Sequence, residues 1–215
     1  CYTFIYYIFL RSPVIVSQLL EVYFFMELLE QRILKEGFAL PGNVLKVDSF
    51  INQQIDPGLS FKMGEEFAAQ FAGIQIDRVL TIEASGIAIG LTTAYKLGVP
   101  LVFARKKKSI LMMEEAYATE ITSFTKQETN TVSVLKKFLP AGENILIIDD
   151  FLANGESALG LARLVEMAGS KVAGIGIAIE KSFQPGQERI KAAGYKLCSL
   201  ARIKSLENCT IEFMD

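Results

Sequence analysis

The apolar run Ile145-Leu146-Ile147-Ile148 ends in two adjacent carboxylates, Asp149 and Asp150, within the segment ILIIDDFLANGES. Behind them come Ala153, Asn154, Gly155, Glu156 and Ser157, which turn into a helical pattern. The first amides of a helix lack intrahelical partners and lie at the positive end of its dipole, so such a turn favours an anion. Small residues let the backbone come close to a phosphate, and Asn154 and Ser157 can add side-chain donors. The two acids cannot themselves hold a phosphate. They suit hydroxyl groups or a divalent cation lying just beside it. A phosphate with vicinal hydroxyls nearby is the outline of a ribose 5-phosphate.

Three other segments carry residues capable of chemistry. TIEASGIAIG (Thr81 to Gly90) closes an apolar run with an acid and then Ala84, Ser85 and Gly86; taken alone it reads equally as an ordinary strand–helix turn. RKKKS (Arg105 to Ser109) is a basic run of the kind that usually forms a solvated face, and SFTKQ (Ser123 to Gln127) adds Lys126. The chain has no histidine, which rules out Ser-His-Asp and Cys-His mechanisms and any histidine-ligated metal. Acid–base work falls to carboxylates, lysine or tyrosine. The three cysteines, Cys1, Cys198 and Cys209, have no CxxC spacing. They argue against a disulfide framework or a zinc site and agree with a reducing cytoplasm. A net charge of −2 and a pI near 5.4 offer no polybasic field to nucleic acid or anionic lipid. A small anionic ligand needs only a local site.

At 215 residues, 51% of them hydrophobic, the chain can bury about 70% of its unfolded surface around one core. The pattern after Met26 places Leu28, Leu29, Ile33 and Leu34 on one helical stripe closed by Gly37. Ala39 to Leu59 reads as an irregular hood, and Ser60 to Phe71 as a helix. Strands are expected at Arg78–Glu83, Val99–Ala104, Asn144–Asp149 and Val172–Glu180, with helices at Leu91–Leu97 and Glu156–Ala168 between them. Strands apolar on both faces and separated by helices imply an α/β fold with a mostly parallel sheet flanked by helices. In such a sheet ligands gather beyond the carboxyl ends of the strands, where Asp149 and Asp150 stand. Arg105 to Val134 breaks the rhythm and reads as an antiparallel excursion or flap. Residues 1–25 are apolar and aromatic, but Arg11, Pro13 and Glu21 interrupt them. They are expected to be a non-native or upstream extension, with a membrane anchor the weaker alternative. Residues 26–215 then form a single domain, its hood drawn from about 26–60 plus the C-terminal segment.

ILIIDDFLANGES resembles the phosphoribosyl-diphosphate signature of the type I phosphoribosyltransferases, departing from it at Asn154 and Glu156, where threonine and glycine are usual. Further likeness lies in VLKVDSFINQQIDP (Val44 to Pro57), IEKSFQPG (Ile179 to Gly186) and SLARIKSLE (Ser199 to Glu207). These resemble the bacterial branch of the family that uses xanthine, and the likeness covers nearly all of Met26 to Asp215. The resemblance implies the type I phosphoribosyltransferase fold and a purine-salvage reaction of xanthine with phosphoribosyl diphosphate. It implies catalytic roles for Asp149 and Asp150, a 5-phosphate seat at Ala153, Asn154, Gly155, Glu156 and Ser157, and xanthine contacts from Leu45, Asn52 and Lys181. It further implies pyrophosphate contacts from Ala84, Ser85, Arg105 and Lys126, Mg2+ carried with phosphoribosyl diphosphate, no protein metal cage, and a cytoplasmic homodimer without nucleic-acid or membrane partners. On the residues alone, Leu45 reads equally as core, Asn52 as a turn residue and Lys181 as a surface lysine. Two alternatives stay open: another purine (adenine, guanine or hypoxanthine) as substrate, and a phosphoribosyl-diphosphate-sensing regulator of the same fold. For the regulator, residues 1–38 are too short and too poor in Lys and Arg to make an added winged-helix domain.

Overall fold

The computed structural model of the protein describes residues 27–106, 115–123 and 128–214. The expected extension at 1–25 and Lys126 lie outside them. Helix α1 (27–36) buries Leu29 and Ile33 completely and leaves Leu34 56% exposed, so its apolar stripe is narrower than the expected four residues. Strands β1 (Phe38–Leu40) and β2 (Val44–Lys46) form an antiparallel hairpin. Its turn uses positive φ at Gly42 and Asn43, a region that glycine and asparagine reach most easily. One wide helical turn, Asp48–Asn52, follows.

Helix α2 (Pro57–Gln70) begins three residues before the expected Ser60. Asp56 caps it by accepting the Leu59 N–H at 3.0 Å, and Pro57 supplies a fixed φ at the first position. Strand β3 (Arg78–Ile82) leads into α3 (Gly86–Leu97), which starts five residues earlier than expected because the glycine-bearing segment is itself helical. Gly98, at φ 69°, ends it before β4 (Leu101–Ala104). The region that broke the rhythm is the antiparallel hairpin of β5 (Ala116–Ser123) and β6 (Glu128–Leu135). Then come β7 (Asn144–Leu152), α4 (Glu156–Met167), β8 (Lys171–Lys181), α5 (Gly186–Ala192), β9 (Leu197–Ser205) and β10 (Glu212–Phe213).

Six strands share one sheet in the order β10-β9-β8-β7-β3-β4, parallel except for β10. Strand β7 is buried on both faces. Leu146 and Ile148 enter a core with α1, α2 and α3, while Ile145 and Ile147 enter a second core with α4 and the β5–β6 hairpin. Such two-sided burial explains the uninterrupted apolar run in the sequence. From β3 the chain crosses through α3 to β4 on one side; from β7 it crosses through α4 to β8 on the other. The order therefore reverses between β3 and β7, which makes a crevice at their carboxyl ends. At the opposite ends Arg78 grips Glu143 with a forked pair of bonds, 2.7 and 2.9 Å, and the Asn144 N–H donates to Asp77 Oδ2 at 2.8 Å. These bonds fix the two central strands in register.

Candidate active site

A cleft of about 440 Å³ opens at that switch point. One wall is the turn after β3, with Glu83, Ala84 and Ser85; the floor holds Asp149 and Asp150; the far wall is the loop from Ala153 to Ser157. The β5–β6 hairpin closes the fourth side with Ile121, Thr122, Asn130 and Val132. Arg163 of α4 pins this hairpin by donating to Thr119 Oγ1 at 3.1 Å and to the Glu120 carbonyl at 2.8 Å.

Asp149 is 3% exposed, and its Oδ1 accepts the Asp150 N–H at 3.0 Å. Burial first, and then the neighbouring Asp150 charge, push its carboxyl well above the usual carboxylate range. The turn after β3 comes very close to it. A Cβ on Gly86 would lie 2.3 Å from Thr81 Oγ1 and 3.2 Å from Asp149 Oδ1, so only glycine lets α3 begin against the floor. Asp150 is less buried and faces the cleft. At the far wall Gly155 has φ 82° and precedes the first turn of α4. Its backbone packs on Gly186 of α5: a Cβ on Gly155 would meet the Gly186 Cα at 3.3 Å.

The structure thus gathers Asp149, Asp150, Ala84, Ser85 and Ala153 to Ser157 around one space. Arg105 does not line it. Arg105 is exposed and pairs with Glu83 at 3.6 Å, while the Lys106 N–H donates to the same carboxylate at 2.8 Å. Leu45 is 5% exposed and belongs to the core, and Asn52 is exposed; neither lines the cleft. Lys181 stands beside it, with Nζ 5.8 Å from the centroid of the Phe151 ring, and Phe151 is itself a cleft residue. The same Nζ donates to the Asn43 carbonyl in the β1–β2 turn at 2.7 Å. Burial lowers the pKa of Lys181. One residue earlier Glu180, fully buried, accepts from the Ser182 and Ser199 hydroxyls and faces Arg202 Nε at 3.5 Å, which anchors the end of β8.

Sequence reasoning noted the acid Glu83 without giving it a role, and it missed Phe151 and the hairpin residues Thr122 and Asn130. Phe151 directly follows the paired acids, and that adjacency was the available signal. The resemblance tied the hairpin to the site only through Lys126 of SFTKQ, and nothing local pointed to Thr122 or Asn130.

A mostly parallel sheet with paired acids and an amide-lined helix start at its switch point is the architecture of a type I phosphoribosyltransferase. The chain belongs to that family: the Phosphoribosyl transferase domain matches residues 54–205. It is 53% identical over 190 residues to a xanthine phosphoribosyltransferase from Listeria innocua, covering 88% of this chain and 99% of that one. It is 55% identical over 188 residues to another from Lactobacillus delbrueckii subsp. bulgaricus, covering 87% and 100%. Among solved structures it matches an adenine phosphoribosyltransferase from Rhodothermus marinus with a TM-score of 0.69 and 24% identity, over 84% and 99% of the two chains. At that identity the likeness carries the fold alone.

Proposed function

We propose that the protein converts xanthine and 5-phosphoribosyl 1-diphosphate to xanthosine 5′-monophosphate and pyrophosphate, a purine-salvage step. The observation that carries this reading is the convergence of paired aspartates, an amide-lined loop and the Glu83–Ser85 turn on one cleft. The xanthine phosphoribosyltransferases it resembles support xanthine as the base. In the reaction a ring nitrogen of xanthine bonds to C1 of the ribose as the C1–O bond to diphosphate breaks. The bond electrons leave with pyrophosphate, and the proton displaced from the base goes to solvent.

The α4 start, with Asn154 and Ser157, takes the 5-phosphate, and the turn at Ala84 and Ser85 takes the diphosphate. Asp149 and Asp150 hold the ribose hydroxyls and stabilise positive charge that grows on the ring as C1–O lengthens. No nucleophilic side chain is required; bringing the two substrates together supplies much of the acceleration. Among the described residues no three His, Cys, Asp or Glu side chains converge as a metal cage. Asp149 and Asp150 would be the residues to hold, through their carboxylate oxygens, Mg2+ carried in with phosphoribosyl diphosphate. Such an ion would supply positive charge against the departing diphosphate.

For the base, Lys181 offers a donor beside the Phe151 ring. Leu45 and Asn52 belong to the β1–β2 and Asp48–Asn52 segment whose Asn43 already touches Lys181. In this reading Asn52 hydrogen-bonds the C2 carbonyl that distinguishes xanthine from hypoxanthine. In the same reading Lys126 and Arg105 contact the diphosphate. The protein acts in the cytoplasm as a homodimer. Ile55, Phe61, Leu91 and Tyr95 are exposed around an apolar groove of about 660 Å³ that shares Ala84 with the cleft, and such a patch favours association. A monomer in sedimentation at micromolar concentration would remove the dimer. The test of the whole reading is product formation from xanthine, hypoxanthine, guanine and adenine with phosphoribosyl diphosphate and magnesium. Xanthine should be used best; equal or better use of another purine would replace it.

A further inference from the structure

Glu156 poses an electrostatic problem. It is the first residue of α4, at the helix start assigned above to a 5-phosphate dianion, and its carboxylate would repel that ligand. The short helix α5 answers it. Arg189 Nη2 pairs with Glu156 Oε1 at 2.7 Å, and Nη1 of the same guanidinium donates to the Asn154 carbonyl. Three residues earlier the Gly186 N–H donates to the Ala153 carbonyl at 3.0 Å. Two successive carbonyls of the loop are thereby engaged by α5, so their oxygens are occupied and the acid at the helix start is neutralised.

We propose that Arg189 is a positioning residue for the 5-phosphate loop. It draws the Glu156 carboxylate and the Asn154 carbonyl toward α5 and keeps negative charge out of the anion seat. The proposal rests on the reading that Asn154 to Ser157 hold the 5-phosphate. A planar guanidinium can hold a carboxylate and a carbonyl at once, whereas lysine, a point charge, holds one well. Helix α5 follows the end of β8 by only a few residues, so the strand carrying Lys181 leads directly into the helix that backs the phosphate loop.

The test is steady-state kinetics of the full chain with both substrates varied. Arg189→Gln should raise KM for phosphoribosyl diphosphate about tenfold and change KM for xanthine by less than about twofold. Arg189→Lys should fall between it and the wild type. Adding Glu156→Gln to Arg189→Gln should recover most of the loss, because the uncompensated carboxylate is gone. Glu156→Gln alone should lower KM for phosphoribosyl diphosphate. A double variant no better than Arg189→Gln would overturn the proposal, and so would a Glu156→Gln variant impaired to the same degree. Should Arg189→Gln fail to fold, Arg189→Lys and Glu156→Gln decide the matter in the same way. Asn154→Ala and Ser157→Ala report on the underlying reading separately. If they leave KM for phosphoribosyl diphosphate unchanged, the seat itself is misassigned; if they raise it while Arg189→Gln does not, only the role of Arg189 falls.

Discussion

Lys181 and Asn43 are separated by 138 positions in sequence, yet the Lys181 ammonium donates to the Asn43 carbonyl at 2.7 Å. The contact ties the end of β8, on the sheet, to the tip of the N-terminal hairpin. It holds the Lys181 ammonium beside Phe151, where in the proposed reading a planar base would meet both the aromatic ring and a hydrogen-bond donor.

Lys181→Met keeps the length of the side chain and removes the donor. It should raise KM for xanthine by about 10–100-fold, the worth of a hydrogen bond from a charged group, with a much smaller change in KM for phosphoribosyl diphosphate. Asn52→Ala should show the same asymmetry more weakly. Initial rates with each substrate varied would show it, and equal losses for both substrates would take these residues out of base recognition.

Asp150→Asn preserves the shape of the floor and removes a charge facing the cleft. Turnover should fall about 10²–10³-fold, as when one preorganised electrostatic contact to a transition state is lost. The melting temperature should hardly move, since Asp150 makes no buried ion pair among the described residues. Wild-type turnover would show that its carboxylate plays no part in the chemistry.

Asp149 predicts a dependence of stability on pH. Its carboxyl is pushed up by burial, so the folded protein keeps the proton to higher pH than the unfolded chain does. The stabilisation is whole below the ordinary aspartate value of about 3.9 and is lost as pH rises through the raised value. Asparagine cannot ionise, so Asp149→Asn escapes that loss. The melting temperature of the variant minus that of the wild type should climb with pH from about 4 upward, by about 2–4 °C per kcal/mol released. A difference that stays flat across the range would mean that Asp149 is ionised throughout.

Gly186→Ala tests the backing of the phosphate loop. An added Cβ would lie 2.3 Å from the Ala153 carbonyl oxygen and 3.0 Å from the Gly155 nitrogen, both backbone atoms that cannot rotate away. The variant should lose about 1–3 kcal/mol of stability to overpacking and bind phosphoribosyl diphosphate more weakly. Denaturant melts and the KM for that substrate would measure both; an unaffected enzyme would show that the loop yields freely.

Much of this was legible in the chain because the decisive signal is local. Ile145 to Ser157 encodes a doubly buried strand, two acids and a helix start within a single stretch, and the fold rules say where such a stretch lies. What stayed hidden depended on distant partners or on ambiguous punctuation. Asp56-Pro57-Gly58 looked like a loop marker, yet Asp56 and Pro57 are the cap and first residue of α2. Gly86 and Gly90 suggested a turn, but they are small so that α3 can pack against Thr81, Asp149 and Leu101. Glu156 looked like a weakness in a phosphate motif; its partner Arg189 stands 33 positions further on, beyond any local pattern.

The pairing of β3 with β7 has a consequence for how the molecule assembles. The bond from Asn144 to Asp77 spans 67 positions, and the two halves of the cleft belong to the two strands it joins. The cleft is incomplete until β3 and β7 have paired, and pairings of such range are slow to close. Occupancy by the sugar donor is therefore linked to completion of the central sheet, and saturation with it should shield the amides of β3 and β7 from hydrogen exchange as strongly as it resists global unfolding.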